Sequence, residues 1–143
     1  MIKAWLSAFR LRTLPLALAS IGMGSFLAAA SAQYQVTVLL LCAVTTIFLQ
    51  ILSNLANDYG DSIHGADSLE REGPARAVQS GRITAKAMKI AILLFVILSL
   101  ASGLALLYVA LYESTQRWTL LLCFLGLGIL SIIAAITYTA GRV

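Results

Sequence analysis

Four long apolar blocks, none containing Lys, Arg, Asp or Glu, alternate with polar stretches along the 143 residues. They run roughly over 14–32, 36–56, 90–112 and 118–138. A helix needs about 20 apolar residues to cross the hydrocarbon core of a bilayer, and the blocks match that length. They are continuously apolar, without the two-residue alternation of barrel strands, so the pattern predicts helices. The expected fold is all-α, a polytopic membrane bundle with four transmembrane helices. The stretches around 31–35 and 113–117 are very short, so each joins its flanking helices as an antiparallel hairpin. Between the hairpins lies one long polar segment, 59–89.

Composition agrees with this pattern. Hydrophobic residues make up 60% of the chain, charged residues only 11%, and mean hydropathy is +0.92. Soluble domains carry about 25% charge. So many apolar side chains cannot all be hidden in a small core, and lipid must be the solvent for many of them.

Charge sets the orientation. Lys3, Arg10 and Arg12 precede the first block, Arg71, Arg76, Arg82, Lys86 and Lys89 lie between the second and third, and Arg142 follows the fourth. Only Arg117 lies on the other side. By the positive-inside bias, both termini and the segment 59–89 are expected in the cytoplasm. The net charge of +4 is then a topology signal, and no nucleic-acid partner is expected. A cleaved signal peptide is the rival reading of the first block, with Ala30-Ser31-Ala32 resembling a cleavage site. The apolar stretch is too long for it, and the next block follows at once. Cys42 and Cys123 lie in apolar blocks with no CxxC spacing and read as small hydrophobes. Trp5, Tyr34, Tyr112, Trp118 and Tyr138 fall near block ends, as interfacial anchors do. Gly103, Gly126 and Gly128 are expected to permit close helix packing.

The second block ends in an amide and two carboxylates, within Gln50-Ile51-Leu52-Ser53-Asn54-Leu55-Ala56-Asn57-Asp58-Tyr59-Gly60-Asp61. If the helix continues through Asp61, then Gln50, Asn54, Asp58 and Asp61 share about 80° of arc, with Asn57 at the edge. Charge at membrane depth costs about 2.5–3.5 kcal/mol per residue on insertion scales, so this stripe must face the bundle interior or a wet cavity. Carboxylates one turn apart suit a hard cation bound through oxygen, and Mg²⁺ usually shares its shell with water and phosphate oxygens. Arg71, Arg76 and Arg82 could bind such phosphates with guanidinium forks. Together these groups imply a diphosphate-bearing substrate, and a site opening between membrane helices suits one with a lipid chain. Against this, acids beyond a helix end can be a solvated boundary, and the arginines can be topology charges. The calcium-loop spacing is absent, and His64 reads as a solvated loop residue.

Asn57-Asp58-Tyr59-Gly60-Asp61, followed by Gly65-Ala66-Asp67, resembles the first aspartate-rich motif of the UbiA family of intramembrane prenyltransferases. Arg12-Thr13-Leu14-Pro15, Gln50 through Asn54, and Gly73-Pro74-Ala75-Arg76 through Gly81 add to the resemblance. The general family pattern NDxxDxxxD would put its last acid at position 65, which is Gly65 here. The acid at Asp67 resembles the spacing of the menaquinone branch. The resemblance implies prenyl transfer from polyprenyl diphosphate to 1,4-dihydroxy-2-naphthoate, with loss of CO₂ to give demethylmenaquinone. It implies Mg²⁺ held by Asp58, Asp61 and Asp67, with Asp58 and Asp61 catalytic and with Asn54 and Arg76 at the diphosphate. The expected setting is a bacterial cytoplasmic (inner) membrane.

The family has about nine membrane helices, helix being the one open element that lipid permits, and a second aspartate-rich motif. Here there are four blocks and no acid after Glu113. The expectation is therefore that residues 1–143 are the amino-terminal half of a UbiA-type domain, binding Mg²⁺–diphosphate weakly and transferring little alone. Two other classes stay open: a noncatalytic isoprenoid-binding membrane protein, and a four-helix transporter with Asp58 and Asp61 on an ion path. A transporter would carry its ionisable groups nearer the midplane.

Overall fold

The computed structural model describes residues 2–64, 77–78 and 80–140, and among these it is helical throughout, with no strand. Helix α1 covers Ile2–Phe9; a 3₁₀ turn, Leu11–Thr13, leads into α2, Leu14–Ala30. Then follow α3, Val36–His64, α4, Ala85–Leu111, and α5, Arg117–Ala140. Four stretches are long and apolar enough to cross a membrane: Ile2–Ala30, Val36–Ile63, Ala85–Leu111 and Arg117–Tyr138. The protein is an integral membrane protein with an all-helical fold.

The helices outrun the apolar blocks. α3 continues eight residues past the block's end at 56, and α4 begins five before position 90. The segment 59–89 is therefore helical at both ends, which corrects its expected extent. Apolarity marks the bilayer, while helix persists in water wherever capping and packing support it. At α4 the support is an N-cap: the Thr84 hydroxyl accepts from the Ala87 N–H at 3.2 Å. α2 ends in a Schellman turn, in which the Gln33 N–H donates to Ala28 O at 2.8 Å and Ala32 takes φ 54°. Both short hairpin connections are as the pattern predicts.

The first span is broken, which the apolar pattern did not signal. Arg10 adopts the left-handed conformation, φ 48° and ψ 50°, and ends α1. Pro15, in the first turn of α2, has no N–H to return to Leu11 O, so one straight helix cannot run through.

α3 is the central helix and touches α1, α2, α4 and α5. Its best-buried stretch is near its carboxyl end, where Leu52 and Leu55 are fully enclosed. There Ala4 and Ala8 of α1, Ile51 and Leu55 of α3, Ala77, Ile83 and Met88 form one core. Phe9 packs edge-on against Phe95 at 5.6 Å between centroids, and Phe95 against Phe48 at 6.0 Å, tying α1 to α4 and α4 to α3. Trp5 packs on this core beside Phe9, 6.0 Å away, and so is a packing residue as well as a terminal aromatic. Tyr34, Tyr112, Trp118 and Tyr138 are exposed at span ends, where anchors belong. Gly103 meets the Thr45 methyl across the α3–α4 contact, as expected of a packing glycine. Gly126 and Gly128 have nothing within 4 Å of a built Cβ, so no described helix packs closely on them.

Candidate functional site

The polar stripe exists because α3 stays helical to His64. Gln50, Asn54 and Asp58 follow one another at four-residue intervals, and Asp61 comes one turn later. They turn inward: Asn54 is 4% exposed and Asp58 3%, while Gln50, Asn57 and Asp61 are half-buried. Burying a carboxylate so completely demands compensation. Part of it comes from the core just described. Ala77, buried against α1 and α3, directs its N–H at Asp58 Oδ2, 3.3 Å away. The apolar packing and the carboxylate's surroundings are thus one construction.

A second network lies one turn deeper. Asn54 Nδ2 donates to Phe9 O at 2.9 Å and to Thr13 Oγ1 at 3.3 Å. Gln50 Nε2 donates to the same Thr13 oxygen at 3.2 Å, and the Thr13 hydroxyl donates to Arg10 O at 2.9 Å. The stripe therefore grips the break in the first span. Beside it, Thr46, Leu49, Gln50 and Ser53 of α3 and Ser131, Ala134 and Ala135 of α5 line an open cavity of about 440 Å³. Leu49 also lines an apolar crevice of about 180 Å³ between α3, α4 and α5.

Of the residues expected at the site, Asp58, Asp61 and Asn54 are brought together on α3. Asp67, Arg76 and Arg71 lie outside the described residues, as does the side chain of His64. Among the described residues no group of three His, Cys, Asp or Glu side chains converges. A cation at this place would rest on the Asp58 and Asp61 carboxylates with water or substrate oxygens, which fits Mg²⁺ coordination. Sequence reasoning missed Thr13 and the Ala77 N–H. Pro15 was the available signal for the break; a backbone N–H carries no residue-type signal.

The UbiA prenyltransferase family model matches residues 16–142. The chain belongs to the UbiA prenyltransferase family. Its relatives in this family include the 1,4-dihydroxy-2-naphthoate octaprenyltransferase of Haemophilus influenzae, 49% identical over 142 residues. That match covers 98% of this chain and 45% of the relative. The Escherichia coli protein of the same name is 49% identical over 140 residues, covering 98% and 44%. The Mycobacterium leprae one is 37% identical over 102 residues, covering 71% and 34%. The chain thus spans somewhat less than half the length of the curated relatives it matches. No solved structure matches it.

Proposed function

We propose that this UbiA-family chain serves polyprenyl transfer from polyprenyl diphosphate to 1,4-dihydroxy-2-naphthoate in menaquinone synthesis. The observation that carries the reading is the pair of carboxylates, Asp58 and Asp61, ending a membrane helix in a chain that is 49% identical over 142 and 140 residues to proteins named for that reaction. In the reaction the allylic carbon–oxygen bond of the donor breaks and diphosphate leaves. A carbon–carbon bond forms to the naphthoate ring, and the acceptor's carboxylate departs as CO₂. The product is demethylmenaquinone, initially at the hydroquinone level.

Asp58 and Asp61 would hold Mg²⁺, with Asp67 as a further acidic group and Arg76 as a cation for the diphosphate. The chemistry supplied by Mg²⁺, when bound, is neutralisation of the charge growing on the leaving diphosphate. The residues around the carboxylates keep them one turn apart and partly sheltered from water, which strengthens their hold on a cation. The cavity against α5 offers hydroxyls near its polar end, and the adjoining crevice offers apolar walls for an isoprenoid chain. The relatives are bacterial, which favours a bacterial cytoplasmic membrane, and the lysines and arginines favour the acid pair at its cytoplasmic face.

The test places this chain in the Haemophilus influenzae relative, replacing the matching segment, in a host lacking its own enzyme. Membranes receive polyprenyl diphosphate, dihydroxynaphthoate and Mg²⁺, and prenylated quinone is measured by mass. Mg²⁺-dependent product that disappears with Asp58→Asn supports the reading. A well-expressed chimera that makes none, beside an active parent, refutes it.

A further inference from the structure

We infer that Asn54 is a positioning residue: with Gln50 and Thr13 it locks the break in the first span, so that the turn at residues 10–13 presents Arg10 and Arg12 to the diphosphate at the Asp58/Asp61 pair. The inference rests on the diphosphate reading above and assigns Asn54 a different task from direct contact with substrate.

The argument begins with a displaced carbonyl. In an unbroken helix Phe9 O would accept from the Thr13 N–H; here that N–H goes to Arg10 O at 2.9 Å. Phe9 O receives the Asn54 amide instead. An Asn Nδ2 has two hydrogens, and both are spent, one on Phe9 O and one on Thr13 Oγ1. Thr13 Oγ1 is equally committed, donating its hydrogen to Arg10 O and accepting from both amides. The orientation of the Asn54 amide follows from its partner, because a carbonyl oxygen can only accept. The Asn54 amide nitrogen cannot donate to a substrate without breaking this network, and Asn54 is 4% exposed.

What the network holds is a cationic turn. Arg10 is fixed in the left-handed region, which costs a non-glycine residue about 1–2 kcal/mol and persists only when its surroundings impose it. Neither Arg10 nor Arg12 has an ion-pair partner among the described residues. Asp58 lies four residues beyond Asn54 on α3, about 6 Å along the axis. Arg10 and Arg12 carry their charge on three-methylene stems, enough to span a helical turn. Guanidinium forks match phosphate oxygens, so arginines within reach of one helical turn would give the diphosphate an anion-binding partner beside the cation-binding carboxylates.

The test uses the protein in neutral-lipid nanodiscs with Trp118→Phe, leaving Trp5 on α1 as the lone tryptophan. Two quantities are read: Trp5 emission, which reports α1 docking beside Phe9, and the Kd for inorganic diphosphate with Mg²⁺. Thr13→Val and Asn54→Leu should red-shift Trp5 and weaken diphosphate about tenfold, the lower range for outer-shell partners. Thr13→Ser should restore both. Arg10→Gln with Arg12→Gln should weaken diphosphate similarly without moving Trp5, and adding Asn54→Leu to that pair should cost little more. Asn54→Leu weakening diphosphate with Trp5 unmoved, and Thr13→Val behaving normally, would overturn the inference and make Asn54 a direct ligand. It is also overturned if the arginine pair alters only the preference for anionic over neutral lipid, which would assign the guanidinium groups to lipid headgroups. If Trp5 responds as expected but neither the parent nor the arginine pair variant binds diphosphate, the arginine assignment is overturned while the lock itself stands, and the proposed reaction is judged by the chimera.

Discussion

A carboxylate 3% exposed at the end of the central membrane helix is costly, and Asp58 sits there with a backbone N–H aimed at it. Asp58→Asn keeps shape and an acceptor for Ala77 but removes the charge. It should leave the protein in the membrane at normal abundance and reduce Mg²⁺-dependent diphosphate binding about 10²-fold, which equilibrium binding of labelled diphosphate would measure. Asp61→Asn should behave alike, and a variant of either acid binding normally would detach the carboxylates from the site. Both acids were legible in the sequence because polar residues at helical spacing inside an apolar run have few reasons to be there. Asn54 was legible as polar for the same reason, but its partners were not. Phe9 O becomes available only because Arg10 turns left-handed, and Arg is a residue type that gives no warning of it.

Two helix ends test how the elements are built, with opposite signs. Ala32 closes α2 in the left-handed region, where its Cβ is a burden and glycine has none. Ala32→Gly should therefore stabilise by about 0.5–1 kcal/mol. Thr84→Ala removes the acceptor for the Ala87 N–H and should cost about 1 kcal/mol. Unfolding in graded detergent mixtures would register both as shifts of midpoint, and shifts of the same sign would contradict the assigned caps. Gly103→Ala should also be tolerated, since its Cβ would stand 3.9 Å from the Thr45 methyl, an ordinary contact. The helices themselves were readable from the runs of apolar residues, which count bilayer thickness. Their true ends were less so: 57–64 and 85–89 are polar yet helical, and the short α1 precedes the first uncharged apolar block. Its helicity comes from burying Ala4 and Ala8 against α3.

Among the described residues the core gathers at one end, and the surface of the membrane spans is largely apolar. Leu16, Phe26 and Leu122 are 82%, 78% and 67% exposed, a state that makes sense only with lipid as the neighbour. The cored end is also the charged one, for Lys3, Arg10, Arg12, Arg82, Lys86 and Lys89 all belong to elements meeting there. The opposite end holds the turns at 31–35 and 112–116, with Arg117 beside them stacked on Trp118 at 5.1 Å. Lysine and arginine resist translocation, so the cored end should face the cytoplasm and the two short turns the outside. Replacing Cys42 and Cys123 by Ser gives a background in which single cysteines report this directly. Thr115→Cys, in an exposed turn, should react with a membrane-impermeant maleimide on intact cells. Ser80→Cys, exposed at the other end, should react only after the membrane is opened. The reverse pattern would put the acid pair on the outer face, away from any cytoplasmic supply of diphosphate, and would refute the proposed reaction together with the orientation.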